Sequence, residues 1–316
     1  MTDRLLVFSN PEVQKLLKEK FIPVAANDWY QRRRQDAEGE FFRSVANQGP
    51  RKGQGGGTRQ GHYVLSASGT LLGYNNNRGP ARRLKMMRNA LSLWNDLPAK
   101  AKKPTIPEIG KADPKFQRLL PSGGQVIKAY TRCLEMRDGK LMAMGGEKVG
   151  KLAAVDHLWL QKGEIKQLHQ LQKGGGGPLP ARIRARILRF HLTDSTRGEP
   201  PHWAVGDMKM AMIQMNSKGE LAGGFSLMSD GKDGQKRSYS GTIFGHLLFT
   251  AEGKLAKFEL LATGEHEGEG RFTKGARPDP SPLAVYFTLS DGKKAADQIP
   301  PQGMHWERGY WQAEKK

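Results

Sequence analysis

Residues 236–271 read KRSYSGTIFGHLLFTAEGKLAKFELLATGEHEGEGR. Two apolar runs, 242–250 and 255–263, flank Ala251-Glu252-Gly253-Lys254. A short glycine-containing turn between β-rich runs predicts a hairpin. Pairing Thr250 with Leu255 sets His246 opposite Glu259 and Phe244 opposite Leu261 on one face. Leu247, Phe249, Phe258 and Leu260 fall on the other, the expected core face, because side chains alternate along a strand. The second strand runs into residues 264–270, GEHEGEG, too rich in glycine and charge to continue it. The ribbon therefore brings a His/Glu-rich loop to one end of a sheet.

Outward from this ribbon the chain reads as a meander. Residues 209–215 and 221–228 form a hairpin around Asn216-Ser217-Lys218-Gly219, and 283–289 is a late strand. Upstream, 126–135 and 140–144 pair across Arg137-Asp138-Gly139. Cys133 alternates into a face of that hairpin and reads as a buried, inert thiol. Residues 156–160 lead into a short helix, 162–170. Residues 173–180, with four glycines and two prolines, form a joint without the GxxxxGK[ST] spacing of a phosphate loop. Residues 182–193 read as a strand: Arg182, Arg184 and Arg186 share one parity, followed by Leu188, Phe190 and Leu192. The expectation for 121–316 is a mainly antiparallel β domain closed into a barrel or half-barrel.

The first 97 residues have a different grammar. Asn10-Pro11-Glu12 is a helix start, with Val13, Leu16 and Leu17 as its apolar stripe. Residues 21–26, FIPVAA, read as a strand covered on both faces. Residues 37–47 are helical. Residues 62–66 and 70–74 form a hairpin across Ala67-Ser68-Gly69. Residues 80–95 form an amphipathic helix, with Leu84, Met87, Leu91 and Trp94 inward and Arg82, Arg83, Lys85 and Arg88 outward. Residues 98–120, with four prolines and many lysines, read as a linker.

Helix, strand, helix, hairpin and helix is the order of a thioredoxin fold after its first strand. Residues 1–97, with YVLSASGTLLGY (63–74) before the last helix, resemble a thioredoxin-like α/β domain. The resemblance implies the scaffold and not the redox chemistry. Trp29-Tyr30-Gln31-Arg32 stands where CxxC would be, and Gln60-Gly61-His62 where a cis-proline precedes the hairpin. Exchange of thiols with disulfides needs a thiolate. In the second half, FHLTDSTRGEPPHW, GEHEGEGRFTKGARPDPSPLAVYFTL and IPPQG resemble segments of uncharacterised planctomycete-type bacterial proteins. In those a thioredoxin-like segment precedes a β-rich domain, which implies this architecture and export, with no known activity.

Composition narrows the classes. The formal charge is +20, and residues 1–104 carry 19 Lys/Arg against 8 Asp/Glu. Such a surface attracts polyanions. A single cysteine excludes an internal disulfide and a cysteine-based zinc site. No run of eighteen apolar residues exists, so no membrane span is expected. The first eight residues are too short for a signal peptide's apolar core, so the chain as written reads as cytoplasmic. A leader upstream would make it exported.

Three constellations carry the candidate chemistry. His191, His246, Glu259, His266, Glu267 and Glu269 combine imidazole and carboxylate, which suits a divalent metal such as zinc, copper, nickel or iron. The alternative is a cross-strand His–Glu pair and a solvated acidic loop. Asp194, Arg197, Glu199 and His202, with Arg271 and Arg277, read either as a buried Arg–carboxylate pin or as an anion or carbohydrate site. Trp29, Tyr30, Arg32, Arg33, Arg34, Arg59, Arg82 and Arg83 form a basic and aromatic set able to grip phosphates and stack bases. No nucleophile–base pairing and no GxSxG occur. The leading expectation is a non-enzymatic binding or adaptor protein whose β domain holds a small ligand or a protein partner. The alternatives are a nucleic-acid or polyanion binder, and a metal-binding protein or metal-dependent enzyme.

Overall fold

A computed structural model describes residues 7–53, 57–77, 79–104, 110–144, 153–197, 200–231, 236–268 and 279–315. The chain divides into two compact units, Leu6–Arg118 and Leu119–Lys316. Among the described residues no helix is long and apolar enough to cross a membrane.

In the first unit, α1 (Pro11–Lys20) begins as its sequence dictates. The Asn10 side chain accepts from the backbone N–H groups of Glu12 and Val13, at 3.0 and 3.1 Å. α2 (Asp28–Gln31) and α3 (Ala37–Ala46) follow. Strands β1 (His62–Leu65) and β2 (Leu71–Asn75) form an antiparallel hairpin, and α4 (Pro80–Asp96) comes next. Residues 21–26 are not a strand. Ile22 and Val24 are 92% and 82% exposed, and among the described residues no strand pairs with them. Local β propensity needs a partner strand and burial to be realised, and Pro23 removes one donor. The central strand of a thioredoxin-like arrangement is thus missing there, and that arrangement is not confirmed.

The segment expected to be a linker is engaged with this unit. The backbone N–H of Asp113 donates to Asp36 (2.8 Å), and the Asp113 carboxylate accepts from the Gln35 N–H (2.9 Å). Phe116 packs 5.6 Å from the Trp29 ring, and Ser68 donates to the Ala101 carbonyl. Its prolines mark irregular backbone, which here is anchored.

The second unit is organised on one antiparallel sheet. Its strands are β3 (Gln125–Arg137), β4 (Lys140–Ala143), β5 (Ala153–Leu160), β6 (Gly176–Pro178), β7 (Met208–Asn216), β8 (Glu220–Asp230), β9 (Lys236–Phe249), β10 (Leu255–Glu267) and β11 (Ser281–Leu289). The order is β4-β3-β11-β10-β9-β8-β7-β6, with β5 also on β3. The long β3 pairs with β5 over residues 125–132 and with β4 over 134–137. In the central ribbon β9–β10, His246 lies opposite Glu259 and Phe244 opposite Leu261, as expected. An irregularity between Leu255 and Lys257 pairs Leu255 with Phe249 rather than Thr250. Residues 264–267, expected as a loop, continue β10 because their backbone pairs with residues 238–241 of β9.

No closed barrel forms: among the described residues the ends of this order do not pair. The inner face is instead filled by helix. After the helices α5 (Ala99–Lys102) and α6 (Lys162–Lys173), residues 182–193 are not a strand but α7 (Ala181–Arg186) continued by a π-helical turn, Ile187–His191. Every residue from Ile187 to Arg197 is buried. Ile183, Ile187 and Leu188 pack in one core with Phe225, Ile243, Leu247, Phe258, Leu260 and Phe287 of the sheet. The alternation of arginine with apolar residues mimics a strand, yet Ile183, Ile187 and Phe190 also fit a helical stripe. A short apolar run cannot distinguish these by period alone.

Burying this helix buries its arginines. The Arg186 guanidinium meets both Glu164 oxygens at 2.5 and 3.0 Å and donates to the carbonyls of Trp159 (2.9 Å) and Tyr310 (3.2 Å). Arg189 donates to the carbonyls of Trp203 (2.7 Å) and Ala313 (2.6 Å). Buried charge is tolerated only when it is satisfied in this way.

Candidate functional site

With its inner side filled, the large sheet offers its outer face. Strand alternation and register align one cross-strand row there: Ala222, Phe244, Leu261, Tyr286, Tyr130 and Val155, from β8 to β5. Phe244 is 51% exposed, Tyr130 39% and Tyr286 37%. Met212 and Met228 are also exposed on β7 and β8. Single exposed apolar residues are ordinary, whereas a contiguous patch marks an interaction surface.

Polar rows flank this one. On one side Glu220, His246, Glu259, Thr288 and Lys128 are successive cross-strand neighbours. On the other side stand Gly224, Thr242, Thr263 and Ala284. Two lysines beside the aromatic row are compensated, and Arg132, opposite Ala284, donates to the Met144 carbonyl. Lys257 Nζ is 2.8 Å from Glu259, and Lys128 Nζ is 2.7 Å from Asp297. The Lys257 ammonium, with Tyr286 and His246, holds the Glu259 carboxyl below its usual range. His246 Nε2 donates to the Lys218 carbonyl at 3.1 Å, since a carbonyl can only accept. The face can therefore stack apolar surface and offer hydroxyl, carboxylate and imidazole groups beside it.

The expected metal ligands do not come together. His246 and Glu259 meet on the outer face. His266 lies on the inner side, buried, with its ring 5.8 Å from that of Tyr239. His191 is deep in the core, Nδ1 3.2 Å from Asp156 and Nε2 3.2 Å from the Tyr310 hydroxyl. Glu267 lies beside Ser238 at the exposed end of β10, and Glu269 lies outside the described residues. Among the described residues no group of three or more His, Cys, Asp or Glu is placed to hold a metal. Positions 259 and 266 differ by an odd number, so one strand must point them to opposite faces.

The Asp156–His191–Tyr310 chain has the composition of a proton relay, but it is enclosed by the core. Burial would raise the Asp156 carboxyl, and His191, with two backbone donors, outweighs it, so its pKa is lowered. A relay that acts on a substrate must reach the proton it moves. This one ties the π-helical turn to β5 and to the C-terminal helix α8 (Glu307–Trp311).

The second polar cluster is a buried pin. Arg197 Nε lies 2.5 Å from Asp194, whose other oxygen accepts from Thr196. Cys133 is buried, 3.7 Å from the Thr196 hydroxyl. Glu199, Arg271 and Arg277 lie outside the described residues. His202 stacks between Phe190 and Trp306, at 5.0 and 4.9 Å. His202 keeps an exposed edge, and desolvation between those rings, then the Arg189 and Arg237 charges, lower its pKa from 6.5 to about 4. The unfolded chain therefore takes up this proton first, and the contribution to stability is lost as pH falls from 6.5 to about 4. Over that window the melting temperature of the parent should fall more steeply than that of His202→Phe, which keeps the stack. Parallel slopes would remove His202 from the acid response.

The basic set of the first unit is mostly turned inward. Arg34 is buried against Asp36 and Glu38, at 2.6 and 2.7 Å, and Arg59 is buried with a bond to the Arg43 carbonyl. Arg83, expected outward, is 1% exposed and donates to the carbonyls of Asn75 and Asn77. Tyr30 is buried, and Arg32 pairs with Asp28 at 3.0 Å. Arg33 stacks over Trp29 at 4.5 Å, and Arg82 is exposed. These positions make a structural network with two outlying cations rather than a continuous basic stripe.

Comparison with family models, with curated proteins and with solved structures gave no match.

Proposed function

We propose that this chain is a non-enzymatic binding or adaptor protein, whose antiparallel β unit holds a ligand or partner on the outer face of its sheet. The observation that carries this reading is the exposed row Phe244–Leu261–Tyr286–Tyr130 on a sheet whose inner face is occupied by helix. The nucleic-acid reading is the weaker one, because Arg34, Arg59 and Arg83 are committed to internal partners. For the first unit, the hairpin β1–β2 followed by α4 supports a thioredoxin-like relation, and the bare segment 21–26 weighs against it.

A neutral apolar dye tests the reading, since a charge of +20 would draw an anionic dye everywhere. Nile red should brighten on the native protein. The double variant Phe244→Asp/Tyr286→Asp should lose most of that signal while its melting temperature stays near that of the parent. A native protein that leaves the dye dark, or a folded double variant that binds it equally, would refute the binding face.

A further inference from the structure

The outer face also indicates what kind of ligand fits it. Phe244 and Tyr286 stand two strands apart in one row, about 10 Å at about 4.8 Å per strand, and Tyr130 stands one strand further. Rings aligned across strands favour a ligand lying perpendicular to the strands, with repeated flat apolar faces. Peptides that join a sheet normally add along its edge and use its backbone groups. Here β7, which β6 pairs only over residues 214–216, carries Lys209 at an irregularity between Met208 and Met210, and both are devices that discourage edge pairing.

Two further observations narrow the chemistry. The rows beside the rings carry both donors and acceptors: the hydroxyls of Thr242, Thr263 and Thr288, the His246 imidazole, and the Glu259 carboxylate, which only accepts. Near the rings Lys257 is paired with Glu259 and Lys128 with Asp297, while Arg132, opposite Ala284, donates to the Met144 carbonyl. Although the chain is strongly cationic, Lys128 and Lys257 beside the rings are paired internally, so an anionic polymer gains little from them. A pyranose ring has apolar C–H faces and an equatorial rim of neutral hydroxyls. It meets all three conditions: stacking on the row, hydrogen bonds to its flanks, and no charge.

We infer that the outer face binds a neutral oligosaccharide of several pyranose units, laid across strands β9, β10, β11 and β3. The inference rests on the binding role proposed for that face. It is tested by electrophoresis of the native protein through gels containing hydroxyethyl cellulose, β-1,3-glucan, galactomannan or xylan, with heparin as the charged contrast. At least one neutral polysaccharide should retard the parent, with little sensitivity to salt. Phe244→Ala and Tyr286→Ala should each weaken that retardation about tenfold or more, and Tyr286→Phe, which keeps the ring, should retain most of it. Melting curves of the same variants confirm that they fold.

The glycan inference is overturned if no neutral polysaccharide retards the parent. It is equally overturned if the ring variants bind as the parent does, or if only heparin binds and salt abolishes it. Light scattering supplies the other arm: a parent dimer that Phe244→Ala converts to a monomer would assign the face to a second copy of the chain. In each of these cases a positive Nile red result leaves the binding face standing, so the two readings fail separately.

Discussion

The Phe258→Ala variant is expected to lose about 3–5 kcal/mol of stability. Phe258 is 1% exposed and sits opposite Leu247 on the core face of the central ribbon. Truncation removes the transfer free energy of the ring and leaves a cavity that a close-packed core fills only in part. Against an ordinary domain stability of about 5–15 kcal/mol, that is a large fraction. Phe244→Ala, on the same ribbon but half exposed, should change stability far less. Equilibrium denaturation of both variants makes the comparison. If Phe258→Ala is as stable as the parent, or if Phe244→Ala costs as much, the assignment of inner and outer faces is reversed.

The second large effect is expected at the buried pair Arg186–Glu164. Both groups are buried, and the Glu164 carboxylate serves twice. It accepts from Arg186 and from the Gln161 N–H at the start of the helix Lys162–Lys173, at 2.9 Å. Glu164→Ala strands a guanidinium in the core and removes that cap, so a loss of about 3–5 kcal/mol is expected. The Tyr310 and Trp311 rings, 5.1 and 4.8 Å from the guanidinium, hold it in place without neutralising it. The double variant Glu164→Leu/Arg186→Met removes both charges together. It should be more stable than Glu164→Ala alone, because the desolvated charge is gone. Should the single variant cost under about 1 kcal/mol, the pair is not the internal tie described above.

Both predictions follow from alternation and burial, and they were legible to different degrees. The central register of the ribbon was legible, but its extent was not: β10 continues through residues 264–267, where a loop was expected. A four-residue turn fixes a register, and the register then decides the face of every residue in both strands. The same parity separates Glu259 from His266, a signal present in the sequence. Arg186, Arg189 and Arg83 were not legible as buried. Arginine is normally exposed, and only surrounding carbonyls and a carboxylate make its burial affordable.

By itself, then, the sequence determined the local pairings: the hairpins, the Asn10 cap, the inert placement of Cys133 and the alternation that sorts side chains into two faces. These depend on residues a few positions apart, where turn geometry and strand period leave little choice. Tertiary structure alone decided which strands are neighbours. Tyr130 and Tyr286 are 156 positions apart, and nothing local to either declares that β3 lies beside β11. It also decided that residues 181–191 enter the core as helix, that the sheet stays open, and that 21–26 finds no partner strand. Each of these outcomes depends on burial against distant segments, and such burial overrides weak local propensity.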